Sequence, residues 1–135
     1  MGSWYTLGVA AGLGTAVGLA LTGAIRRLLP GLLVSAVVSF AVAYAVEDWQ
    51  HGAAALLGAV CGSVGAAPLV AGALRRGGTP GATATLVCIA ALLGAGFAFI
   101  PVVGYVEALA VLVLGLRLRR RAPDRHAGLR TLARD

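Results

Sequence analysis

One acidic side chain sits inside a long apolar stretch. Glu107 lies between Val102 and Leu116, where every other residue is aliphatic, small or aromatic. A carboxylate in hydrocarbon costs about 2.5–3.5 kcal/mol on insertion scales, so it normally faces a protein interior or water. Gly104, Ala108, Val111 and Gly115 fall within roughly 100° of it on a helical wheel, a mostly small-residue face suited to helix packing. Three readings are open. Glu107 handles a proton or cation on a transport path, with Tyr105 beside it as a hydroxyl partner. Alternatively it is a structural hydrogen-bonding tie, or it lies near enough to an interface to be wet.

Glu47, Asp48 and His51 form a second constellation. On a helix, positions three and four apart share a face, so all three can converge. Together with Glu107 they would offer carboxylates and an imidazole for a metal or a proton relay. The plainer reading, a solvated loop and helix cap ahead of Gly52, is preferred, because one His with loop carboxylates is a weak metal signal. The sequence carries no zinc motif, phosphate-binding glycine loop or nucleophile–His–acid arrangement. Ser35, Ser39, Ser63, Thr83 and Thr85 read as helix back-bonds or interhelical ties. No enzyme activity, metal or cofactor is expected.

The elements that place these groups follow from composition. The chain has 135 residues, 59% hydrophobic and only 12% charged, against roughly 45–50% and about 25% in soluble proteins. It lacks the polar residues to cover a soluble core. The predicted fold is an all-α polytopic transmembrane helix bundle of about five spans, near residues 4–25, 32–46, 53–74, 82–100 and 102–116. Residues 1–118 form the bundle and 119–135 a basic tail. As a single helix, 82–116 would be roughly 52 Å long, too long for a hydrocarbon core of about 30 Å. Pro101 and Gly104 are therefore read as a break.

Charge sets the predicted orientation. Alternating the five spans puts Arg26, Arg27, Arg75, Arg76, Arg117, Arg119, Arg120, Arg121 and the rest of the tail on one side, and Glu47 and Asp48 on the other. The positive-inside rule gives an external N-terminus and a cytoplasmic C-terminus. Trp4, Tyr5, Tyr44, Trp49, Phe97, Phe99 and Tyr105 fall near the outer interface, where amphipathic rings prefer to sit. There is no Lys, while Ala, Gly and Arg abound. That is the composition of a GC-rich bacterial gene and points to the bacterial inner membrane. No basic residue precedes the first span, so it does not read as a cleaved signal. The Met1–Thr6 match to the myristoylation pattern is set aside because this end is placed outside. Cys61 and Cys88 fall at different depths and are not expected to pair.

Helices in lipid associate by close packing. Small stripes predict where: Gly8, Gly12 and Thr15; Gly58, Gly62 and Gly65; Ala84, Cys88, Ala91 and Ala95. Pro68 predicts a kink. Gly23-Ala-Ile-Arg-Arg27 resembles Gly72-Ala-Leu-Arg-Arg76, so a tandem helical-hairpin repeat is possible, with coincidence the alternative.

The tail from Arg117 to Asp135 carries seven Arg and two Asp. It suits anionic lipid head groups or plain topological anchoring. Nucleic acid is not expected, because no aromatics interleave the arginines. The functional expectation is a small channel- or transporter-like protein working as a homo-oligomer with Glu107 on the path. The alternative is a non-transporting scaffold or accessory subunit that docks a larger membrane partner.

Overall fold

The computed structural model describes residues 3–100 and 102–121. Met1 and Gly2 of the myristoylation-like pattern, Pro101, and the tail beyond Arg121 lie outside the described residues. The described chain is all-α, with five helices: α1 (Ser3–Ile25), α2 (Leu28–Val46), α3 (Trp49–Arg75), α4 (Pro80–Phe97) and α5 (Val103–Arg121). α1 to α4 are long and apolar enough to cross a membrane. α5 is not of that kind: Glu107 interrupts it, and Arg117, Arg119, Arg120 and Arg121 occupy its last turns. Its apolar stretch ends at Leu116, only about 21 Å of helix from Val103.

Capping accounts for where the helices begin. α2 starts at Leu28 instead of Leu32, because Pro30 falls in a first turn whose N–H groups need no intrahelical partner, and the Gly31 N–H already bonds back to the Arg27 carbonyl at 3.1 Å. α3 starts at Trp49 instead of Ala53, because the Asp48 carboxylate accepts the backbone N–H groups of Gln50 and His51 at 2.9 and 3.0 Å. Thr79 caps α4 through the Ala82 N–H, and Pro80 follows at the first helical position. α5 runs on past Leu116, since Leu and Arg are both good helix formers and no breaker intervenes.

α1 and α3 run parallel through the middle of the bundle. Glycine lets their backbones touch, and the contacts are reciprocal. A Cβ on Gly14 would strike the Ala55 carbonyl, and one on Gly58 would strike the Ala11 carbonyl. Gly18 meets the Ala59 carbonyl in the same way, and Gly62 the Thr15 carbonyl. Exchanging the two helices therefore maps Gly14 onto Gly58, Gly18 onto Gly62 and Ala11 onto Ala55. In lipid such close approach replaces hydrophobic exclusion as the source of attraction. The Gly23–Arg27 and Gly72–Arg76 segments do not share this register. Gly23 packs on Val87, whereas Gly72 has only the Arg76 guanidinium near it.

The other three helices surround this pair. α2 packs on α3 and α1, α4 on α1, and α5 on α3 and α1 while barely touching α4. Ser35 of α2 and Ser63 of α3 share a 2.9 Å hydrogen bond with both side chains fully buried, and Ser63 also donates to the Gly18 carbonyl of α1. This polar tie links three helices at the point where burial would make an unpaired hydroxyl costly. Outward faces of α2 and α4 are apolar and exposed, with Leu33, Val37, Leu86 and Leu92 on them.

Candidate functional site

Glu107 is positioned by the small residues around it. Gly104 lies against the Gly8 carbonyl, and Gly115 and Val111 lie against Gly65. This face of α5, with Ala108 buried on it, is the small-residue face read from the sequence. Gly115 also approaches the Val64 carbonyl, 3.1 Å from where its Cβ would be. That carbonyl lacks its helical partner because Pro68 has no N–H. Pro68 and Gly115 thus act on opposite sides of one helix contact.

Beside that face the Glu107 side chain turns toward α4. Its carboxylate occupies the space a Cβ on Gly94 would need. One oxygen, Oε2, is buried with no hydrogen-bond partner among the described residues. Depth can be read from the neighbours. Gly104 precedes Glu107 and packs on Gly8; Val111 follows and packs on Gly65. On α4, Gly94 lies between Val87, packed on Gly23, and Ala98, packed on Gly12. The carboxylate is therefore away from both ends of the bundle.

Tyr105 is placed elsewhere. Its ring covers Gly8 and its hydroxyl donates to the Trp4 carbonyl at 2.6 Å. Tyr5 makes the matching tie by donating to the Phe99 carbonyl at 2.8 Å. These bonds fasten the start of α1 to the α4–α5 reversal.

Asp48 and His51 come together as a cap. His51 lies within α3 and is 8% exposed. Its Nδ1 is 2.8 Å from Asp48 Oδ1 and its Nε2 is 2.8 Å from Thr6 Oγ1. The His51 backbone N–H, and then its side chain, hold the Asp48 carboxyl below its ordinary pKa. Glu47 is exposed and lines a cleft between α1 and α2 instead. No three His, Cys, Asp or Glu side chains among the described residues are grouped to hold a metal ion. Cys61 and Cys88 are free thiols.

Of the predicted stripes, Gly58 and Gly62 face α1, Gly65 faces α5, and Gly8 and Gly12 face α5 and the end of α4. The contacts that sequence reading missed are Gly14 and Gly18, although their Gly-x-x-x-Gly spacing is a direct packing signal. Gly94 carried no such signal, because its role appears only once α5 is laid beside it.

By helix length and hydropathy, the fold is that of a small multi-span membrane protein. Comparison with protein-family models, characterised proteins and solved structures finds no match.

Proposed function

We propose that this protein is a channel- or transporter-like membrane protein that works as a homo-oligomer, with Glu107 handling a proton or cation on the path. The observation that carries this reading is the Glu107 carboxylate, which lies away from both ends of the bundle with one buried oxygen lacking a described donor. A carboxylate so placed must hold a proton or face a cation or water, because leaving it charged and unpaired is costly. Backbone contact between α1 and α3 closes the centre of a single bundle. Among the helix pairs in contact, α4 and α5 touch least, and Glu107 lies between them. A second copy seated there would complete a path that one copy lacks.

In this reading α5 also crosses the membrane, its terminal arginines reaching the interface along their aliphatic stems. Arg26, Arg27, Arg75, Arg76 and the α5 arginines then face the cytoplasm and anionic head groups of a bacterial inner membrane, with the N-terminus outside. The aromatic end would be the outer one. It is tied by Tyr5 and Tyr105.

Reconstitution tests the proposal. The purified protein alone in liposomes should move protons or cations down an imposed gradient, and its mass in nanodiscs should be a discrete multiple of one chain. A silent monomer that copurifies with a foreign membrane subunit would overturn it in favour of the scaffold or accessory reading.

A further inference from the structure

The Glu107 carboxylate receives no balancing charge from the described residues. The ion pair among them is His51 with Asp48, and Oε2 of Glu107 is buried without a hydrogen-bond partner. The atoms around the group select what neutralises it.

A metal cation entering a protein must exchange its water shell for other oxygens. Ca²⁺ takes about six to eight, Mg²⁺ demands near-ideal octahedral geometry, and K⁺ is held by rings of backbone carbonyls. Glu107 offers one carboxyl. Ala108 and Val111 near it on α5, and Ala91 and Ala98 on either side of Gly94 on α4, have no side-chain oxygen. The Gly94 carbonyl already accepts the Ala98 N–H at 2.9 Å. Interior hydroxyls are engaged elsewhere. Ser35 and Ser63 bond each other on the α2 side, and Thr15 donates to the Ala11 carbonyl of its own helix.

A proton needs no such ligand set. It cancels the charge by forming one O–H bond on the carboxylate, and that O–H can donate to the second lone pair of a helix carbonyl. A neutral carboxyl also escapes most of the cost of a buried charge. Release breaks the same bond and alters no other.

The other ionisable groups on the helices packed against α5 are not bonded to Glu107. Tyr5 and Tyr105 are tied to carbonyls at the aromatic end, and His51 to Asp48 and Thr6. Arg75 and the α5 arginines lie at the opposite end, Arg117 about 15 Å of helix beyond Glu107. Cys61 on α3 and Cys88 on α4 are free thiols.

We propose that Glu107 takes up and releases a single proton and excludes metal cations, so that the ion this path carries is H⁺. The inference rests on the transport reading above and names its ion.

The test is infrared spectroscopy of the full chain in nanodiscs, following the carbonyl stretch of an un-ionised carboxyl against pH. The Glu107 component is the part lost in Glu107→Gln and shifted in Glu107→Asp, so either variant identifies it; a thiol contributes nothing to this band. The component should disappear as pH rises. Its midpoint should stay where it is when Na⁺, K⁺, Mg²⁺ or Ca²⁺ replaces choline at constant ionic strength. A midpoint that falls as any metal is added would overturn the proposal, because bound metal would be competing with the proton. So would a band absent at every pH, which means a permanently ionised group, or one unchanged at every pH, which means a structural tie. Liposome flux separates this inference from the reading beneath it. A titrating, metal-blind Glu107 in a protein that moves no ion would defeat transport and leave the proton site standing. Na⁺ or K⁺ flux abolished by Glu107→Gln would defeat the proton site and leave transport standing.

Discussion

The carboxylate of Glu107 on α5 lies over the α-carbon of Gly94 on α4, in space that any larger residue would occupy. Gly94→Ala should therefore move the carboxylate without breaking the fold. The atom in the way is the far end of a flexible side chain, and alanine is the better helix former by about 1 kcal/mol. The expected outcome is unchanged or slightly raised stability with flux altered severalfold. Gly96→Ala, on the same helix with open space around it, should leave flux alone. Liposome assays of the two variants side by side check this.

Gly58 and Gly62 allow no such adjustment, because the atoms in their way are the backbone carbonyls of Ala11 and Thr15. Gly58→Ala or Gly62→Ala must force α1 and α3 apart. Overpacking of this kind costs about 1–3 kcal/mol, and backbone contact puts these sites at the upper end. Gly81→Ala, which meets nothing, is the matched control. Reversible unfolding in mixed detergent should separate the two groups. Equal stability would mean that α1 and α3 do not touch.

Asp48 predicts an acid-sensitive start to α3. The His51 N–H and side chain hold its folded pKa below the ordinary value. A depressed carboxyl contributes stability at pH above its unfolded value and loses it as pH falls through the folded one. Amide exchange at Gln50 and His51, corrected for intrinsic rates, should therefore quicken below about pH 4. Asp48→Asn keeps an acceptor oxygen and should remove most of this pH dependence. Asp48→Ala should leave the first turn frayed at every pH.

Val102 has φ +71°, in the left-handed region, where a β-branched residue clashes with its own backbone at a cost of about 1–2 kcal/mol. Val102→Gly should relieve part of this and raise stability by roughly 0.5–1 kcal/mol, after glycine's own entropic cost. A detergent unfolding curve measures it, and lower stability in the variant would contradict the strained turn.

The helical class and the count of five helices were legible because breakers such as Pro80 and charge clusters such as Arg75-Arg76 punctuate the apolar runs. The gathering of arginines at one end and rings at the other was legible for the same reason. Helix starts were misplaced where capping decides them. The sequence around Asp48 reads as a loop and helix cap, and Asp48 does cap α3, but the helix starts at Trp49 instead of Ala53 and takes in His51. The pentapeptide likeness suggested one repeat register, while the packing uses another, through Gly14 and Gly58. Which glycine faces which helix depends on tertiary placement, so Gly94 beneath Glu107 could not be read in advance. The α1–α2 cleft was equally hidden, because its walls come from separate helices.

The central claim is that Glu107 carries charge across the bilayer, and proton and cation flux in protein-only liposomes tests it most directly. The wild-type protein should show flux above empty vesicles. Glu107→Gln, which keeps the shape but loses the charge, should bring it to background with oligomer mass unchanged, and Glu107→Asp should retain part of it. Wild-type flux that Glu107→Gln leaves intact at every pH would contradict the account.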